Sequence, residues 1–139
     1  MNSGFVADAS VAMAWVVESQ SSQDTEGLLA EVEGGAAVHA PVLWMFEVAN
    51  ALLILKRRRR IDQQGYDQAR LDLRGLRPLI DEEGPHLALS SISELADKHG
   101  LSAYDAVYLE LALRKAIPLA SRDAALNKAA KSARVPTLL

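Results

Sequence analysis

The sequence contains no cysteine, which removes disulfides and thiolate zinc sites from the possibilities. Histidine is scarce: His39, His86 and His99 are the three present, and no two stand at a helical metal-ligand spacing. Any metal site must therefore use oxygen ligands, which favours hard cations such as Mg2+ or Mn2+. Long apolar runs are also missing. The longest, Ala40 to Leu55, is interrupted by Pro41, Glu47 and Asn50, and falls short of the ~20 residues a membrane span needs. The opening Met1-Asn2-Ser3-Gly4 has no basic region and leads directly into Phe5-Val6-Ala7, so no secretory leader is expected. Together these absences predict a soluble, cytoplasmic protein with no membrane association.

What is there suits a single compact domain over 1–139. Half of the 139 residues are hydrophobic and 24% are charged. A net charge of −3 argues against bulk binding of nucleic acid, but distribution matters more than the sum. Lys56, Arg57, Arg58, Arg59 and Arg60 put five of the 15 basic residues in one run. The run reads either as a solvated helix end offsetting the C-terminal dipole, or as a phosphate-steering patch beside an acidic site.

Short β-like runs alternate with helical patterns, the mark of an α/β protein. Gly4 to Ala7 reads as a first strand, followed by a helix capped by Ser10. Ser22 to Glu33 reads as a helix stopped by Gly34-Gly35, and Ala36 to His39 as a second strand. Pro41 suits the first turn of a long helix through Arg60, and Asp62 caps the next, to about Arg77. Leu79-Ile80 reads as a third strand. His86 to His99 is helical up to Gly100, and Ser102 caps a helix to Lys115. Pro118 to Ala120 is a fourth strand, and Ser121 caps a last helix to about Arg134. Val135 to Leu139 closes as a fifth strand, at an edge because Pro136 cannot donate to a ladder. Connections of this length imply crossovers and a largely parallel sheet.

In open parallel sheets, ligands bind beyond the carboxyl ends of the strands. Asp8 directly follows the first strand and Asp123 stands three residues after Ala120, which predicts one shared rim. Either acid could equally cap a helix or sit in its first turn. Asp105, three residues after Ser102, resembles the acid of a capping box, although Glu or Gln is usual there. Glu47 stands in a helix that is apolar almost all round, a pattern normally buried, where a lone carboxylate needs a partner, a proton or a metal. Asn50 shares its face. Clustered carboxylates repel unless a cation sits among them, and a divalent metal would resolve this while activating water toward a phosphoryl group.

Four segments carry a resemblance. They are Val6-Ala7-Asp8-Ala9-Ser10-Val11-Ala12, then Glu47-Val48-Ala49-Asn50-Ala51-Leu52, then Leu101-Ser102-Ala103-Tyr104-Asp105-Ala106-Val107-Tyr108-Leu109, and finally Pro118-Leu119-Ala120-Ser121-Arg122-Asp123. In this order and spacing the chain resembles the PIN-domain family, particularly VapC-like ribonuclease toxins of type II toxin–antitoxin pairs. The resemblance implies a three-layer α/β/α sandwich on a five-stranded parallel sheet. It implies that Asp8, Glu47, Asp105 and Asp123 hold one or two Mg2+ or Mn2+ ions for hydrolysis of RNA by metal-activated water. Ser10, Asn50 and Ser121 are implied as supporting residues, Ser121 standing where the family more often has Thr. A homodimer and a cognate antitoxin partner are implied as well.

Two enzyme rivals lack their residues. A haloacid-dehalogenase-like phosphatase needs an Asp where Ser10 stands, and a dinucleotide site needs a glycine-rich turn after the first strand. The remaining rival is a non-catalytic, protein-binding or structural domain of the same fold.

Overall fold

A first strand that is buried on both faces sets the architecture. Phe5, Val6 and Ala7 form β1 (Phe5–Ala7), and all three are inaccessible, as befits a central parallel strand. Their side chains alternate between two cores. Phe5 and Ala7 join Val11, Leu28, Val38 and Ala120, whereas Val6 joins the larger cluster around Trp44, Leu52, Tyr108 and Leu119. The computed structural model describes residues 4–139. The reading of Met1 to Ser3 as a leaderless start lies outside them. At Gly4 the backbone takes φ +94, and a Cβ would stand 2.3 Å from the Ala37 carbonyl oxygen, so only glycine suits the entry to β1.

Four strands form one parallel sheet in the order β3-β2-β1-β4: β2 (Val38–Pro41), β3 (Leu79–Asp81) and β4 (Leu119–Ala120) complete it. The helices are α1 (Ala9–Val16), α2 (Gln23–Glu33), α3 (Leu43–Arg57), α4 (Gln63–Gly75), α5 (Gly84–Leu87), α6 (Ser93–His99), α7 (Ala103–Lys115) and α8 (Ala124–Ser132). They cover both faces, giving the three-layer α/β/α sandwich. No helix among the described residues is long and apolar enough to cross a membrane.

Several expectations are corrected. The fifth strand is reduced to a single bridge, Leu119 to Thr137, on the free side of β4. The Pro136 carbonyl accepts from Leu119 N–H and Leu138 N–H donates back, so the segment has the edge position its proline requires but too few donors to extend. Pro41 ends β2, paired with Asp81, instead of opening α3. The stretch from His86 to His99 is not one helix. A π-turn over Ala88–Ile92, with Ser90 at φ −122 and ψ −105, separates α5 from α6.

The third helix is not buried all round. Only the i, i+4, i+8 stripe Trp44, Val48 and Leu52 is inside, while Met45, Phe46 and Ile54 face out. One apolar stripe suffices to seat a helix on a sheet, and the remaining apolar residues are surplus to the core. The helix also stops at Arg57, not Arg60. Arg59 takes the left-handed conformation (φ 57), and Arg59 and Arg60 N–H donate to the Lys56 and Leu55 carbonyls. This is the glycine-type helix stop made by arginine. Ala116 and Arg134 end α7 and α8 the same way.

Candidate active site

The strand order reverses beside β1. The chain steps from β1 out to β2 and β3, then returns to place β4 on the other side of β1. The crevice at such a switch point, beyond the carboxyl ends of the two diverging strands, is the natural ligand site of an open α/β sheet. Asp8 leaves β1 there, and Ser121 and Asp123 leave β4.

Asp8, not Ser10, caps α1. Its extended backbone lets Oδ1 accept from Val11 N–H at 3.2 Å. Ser10 lies one residue into the helix, where its hydroxyl donates to Asp8 Oδ1 at 2.6 Å and accepts from Arg122 N–H at 3.1 Å. Ser121 is likewise not the cap of α8. It is fully buried, and its hydroxyl donates to Asp8 Oδ2 at 2.5 Å while accepting from Asp123 N–H at 3.0 Å. Asp123 caps α8 by accepting from Leu126 N–H at 2.8 Å. The two serines therefore tie the ends of β1 and β4 together through Asp8.

Glu47 and Asp105 come from α3 and α7, both half-buried. Tyr108 donates its hydroxyl to Glu47 Oε1 at 2.5 Å. Asp105 N–H donates to Ser102 Oγ at 3.1 Å, so the capping contact runs through the backbone of Asp105. Asn50 is exposed and makes no hydrogen bond to Glu47 among the described residues, although it shares the helix face.

The acids sense one another. Burial raises Asp8 above the ordinary carboxylate range, against the pull of its serine and backbone donors. Burial also raises Glu47. The Tyr108 hydrogen bond opposes this, and the charges of Asp8 and Asp105 add to it. Asp105 is raised by burial and then by the charge of Asp123. Among the described residues none of the four acids is salt-bridged. Asp81 is the contrast: Arg114 grips it and holds it below the usual range.

Two residues at this rim escaped sequence reading. Tyr108 had a signal, since it stands three residues after Asp105 and so on the same face of α7. Asn127 had little. Its Nδ2 donates to the Ser121 carbonyl at 2.9 Å, and its Oδ1 is buried without a partner. The basic run stands apart from the acids. Arg57 is ten residues beyond Glu47 along α3, roughly 15 Å at the helical rise.

The donor set fits a hard divalent cation in kind: oxygen ligands only, anionic and mutually repelling, with no salt-bridged cation among the described residues. It is not a closed cage. Among the described residues no three acidic or histidine side chains meet closely enough to enclose an ion on their own. Mg2+ keeps several waters and needs few protein oxygens, so an open set is compatible with it in kind.

The PIN domain family model matches residues 5–132. No curated protein matches the chain. Among solved structures, the fold is similar to PAE2754 from Pyrobaculum aerophilum, with a TM-score of 0.72 and 22% identity, covering 99% of this chain and 92% of that one. It is also similar to FitAcB from Neisseria gonorrhoeae, with a TM-score of 0.62 and 19% identity over 96% and 95% of the two chains. At these identities the likeness is one of fold.

Proposed function

The chain belongs to the PIN domain family, whose members are generally metal-dependent nucleases, and from that premise we propose that it is an endoribonuclease. It hydrolyses RNA phosphodiester bonds at Asp8, Glu47, Asp105 and Asp123. The observation that supports this most is Asp8, buried at the β1/β4 switch point and bonded by two serines, with Glu47 in electrostatic reach of both Asp8 and Asp105 and no salt bridge to any of these acids among the described residues. In this reading the four acids hold Mg2+ or Mn2+. Such an ion, when held there, would supply a water of lowered pKa and charge neutralisation at the scissile phosphate. Ser10 and Ser121 orient Asp8, and the Asp8 and Asp123 carboxylates keep their capping bonds, so one oxygen of Asp123 stays free. Asn50, exposed on the Glu47 face, is available to substrate.

The toxin of a toxin–antitoxin pair is the finer reading, acting in the cytoplasm on RNA and restrained by a small antitoxin protein. It rests on the resemblance to VapC-like toxins. A homodimer belongs to it, and the exposed apolar groups support one. Phe46 and Tyr104 flank an apolar groove lined by Pro41, Ile92 and Val107, and Leu89 is almost wholly exposed beyond it. Trp44, by contrast, is core and takes no part. A sedimentation mass of one 15.0 kDa chain at micromolar concentration would count against the dimer.

That Asp8 and Asp123 both cap helices favours a second reading, a non-catalytic module of the same fold. The experiment that separates the two combines Mn2+ titration with cleavage of single-stranded RNA by the purified chain. The nuclease shows saturable Mn2+ binding and metal-dependent cleavage, both lost in Asp8→Ala. The module shows neither.

Lys56 and Arg57 to Arg60 are assigned to RNA binding. Arg57 to Arg60 are exposed, and Lys56 Nζ stands 4.8 Å from the Tyr66 ring centroid. At roughly 15 Å along α3 from Glu47, Arg57 and the residues after it would meet RNA away from the scissile bond. Changing Arg57 to Arg60 to Gln weakens RNA association and flattens its salt dependence, because fewer counterions are released, while turnover at saturating RNA holds. An unchanged salt slope would leave the run as a solvated helix end.

A further inference from the structure

Glu47 has reason to point away from the site. Met45, Phe46, Ala49 and Asn50 around it are exposed, and no backbone group or cation fastens its carboxylate among the described residues. A free glutamate explores many rotamers, and ordering one costs up to about 2 kcal/mol. Among the described residues the one hydrogen bond that holds the Glu47 carboxylate is the Tyr108 hydroxyl on Oε1. Tyr108 is well suited to that work. The residue is 2% exposed and packed in the main core, so the hydroxyl is placed by a rigid lever with two side-chain torsions. It also stands one turn beyond Asp105 on α7, so the helix that supplies one acid orients the other.

We propose that Tyr108 is a positioning residue of the metal site, clamping one oxygen of Glu47 and leaving Oε2 as the oxygen offered to the cation. The inference rests on the metal-dependent reading above. Tyr108 acts through Glu47 and touches neither metal nor RNA. Partners that orient a metal ligand typically contribute ~10- to 100-fold in metal affinity.

The test is Mn2+ binding followed by electron paramagnetic resonance on four folded proteins: wild type, Tyr108→Phe, Glu47→Gln and the double variant. Tyr108→Phe keeps the ring in the core and melts near wild type without metal, yet binds Mn2+ roughly tenfold more weakly. In the Glu47→Gln background the same change adds no further loss, which a purely structural role for Tyr108 would not produce. Wild-type affinity in Tyr108→Phe, with Glu47→Gln weakened, overturns the positioning role alone. So does an undiminished loss in the double variant. A folded wild type without saturable Mn2+ binding overturns the nuclease reading together with it. Should Tyr108→Phe fold poorly, 3-fluorotyrosine at position 108 in the wild-type chain gives a second measurement. Its fluorine resonance shifts on Mg2+ saturation, and an unmoved resonance overturns the clamp.

Discussion

Asp105→Asn folds, melts at or above the wild-type temperature without metal, and cleaves RNA at least ~10²-fold more slowly with Mg2+ or Mn2+. The helix start survives because Ser102 accepts from the Asp105 backbone N–H, which asparagine keeps. The removed charge is one the apo protein holds at a cost, since burial and then Asp123 raise its pKa in the folded state. An acid raised on folding binds its proton more tightly in the native than in the unfolded chain, so its ionisation subtracts stability. That penalty is absent below the unfolded value of 3.8, grows as pH rises through the raised folded value, and is complete above it. The melting gap between the variant and wild type is therefore widest at neutral pH and closes in acid. Saturating Mg2+ reverses the order, because wild type gains more from the ion. Matched thermal melts and RNA cleavage check both halves. Full cleavage by the variant would reduce Asp105 to a first-turn residue and remove most of the mechanism.

Arg114→Met is the opposite kind of change, a loss of stability without a direct effect on chemistry. Arg114 Nη1 and Nη2 donate to both Asp81 oxygens at 2.9 and 2.7 Å, and Nε donates to Glu110 Oε1 at 2.6 Å. The Asp81 and Glu110 side chains are 8% and 9% exposed, against 28% for Arg114. Asp81 also accepts from Gly84 N–H at 3.1 Å, so the cluster joins the end of β3, the start of α5 and the last two turns of α7. Removing the cation strands two buried carboxylates beside each other. Such a break costs 3–5 kcal/mol when all partners are buried, and the partial exposure of Arg114 puts it at about 3 kcal/mol or less. A drop of up to roughly 10 °C in melting temperature at neutral pH follows for a chain of this size.

The pH dependence identifies the cause of that drop. Arg114 depresses Asp81 in the folded state, so this stabilisation is present above the unfolded value of 3.8 and fades as pH falls through the lower folded value. Wild type and variant melting curves converge in strong acid. A gap independent of pH would assign the loss to packing of the arginine stem instead.

Much of this molecule was legible one segment at a time. Asp62 and Ser102 announce the helices that follow them, and each accepts the N–H that a cap should. Gly100, at φ 65, ends α6 as its position before Leu101 suggests. The largely parallel α/β sheet followed from alternation of short apolar runs with helical ones, and the three-layer sandwich from the family resemblance. Where segment reading failed, the competing signal was also local. Ser10 and Ser121 look like caps because serine usually is one, yet an aspartate two residues away caps each helix and releases the serine for the site. The ends of α3, α7 and α8 carried no glycine to mark them, because Arg59, Ala116 and Arg134 take the left-handed turn.

The sequence by itself determined most element types, the oxygen-only donor set and the four acids worth following, since propensity, capping and composition act within a few residues. Only the tertiary structure decided that β4 returns beside β1, that Ser121 reaches Asp8 from 113 residues away, and that Tyr108 reaches Glu47 from 61. Strand order and such contacts depend on how several amphipathic faces share two cores at once, and no window of the chain contains that information.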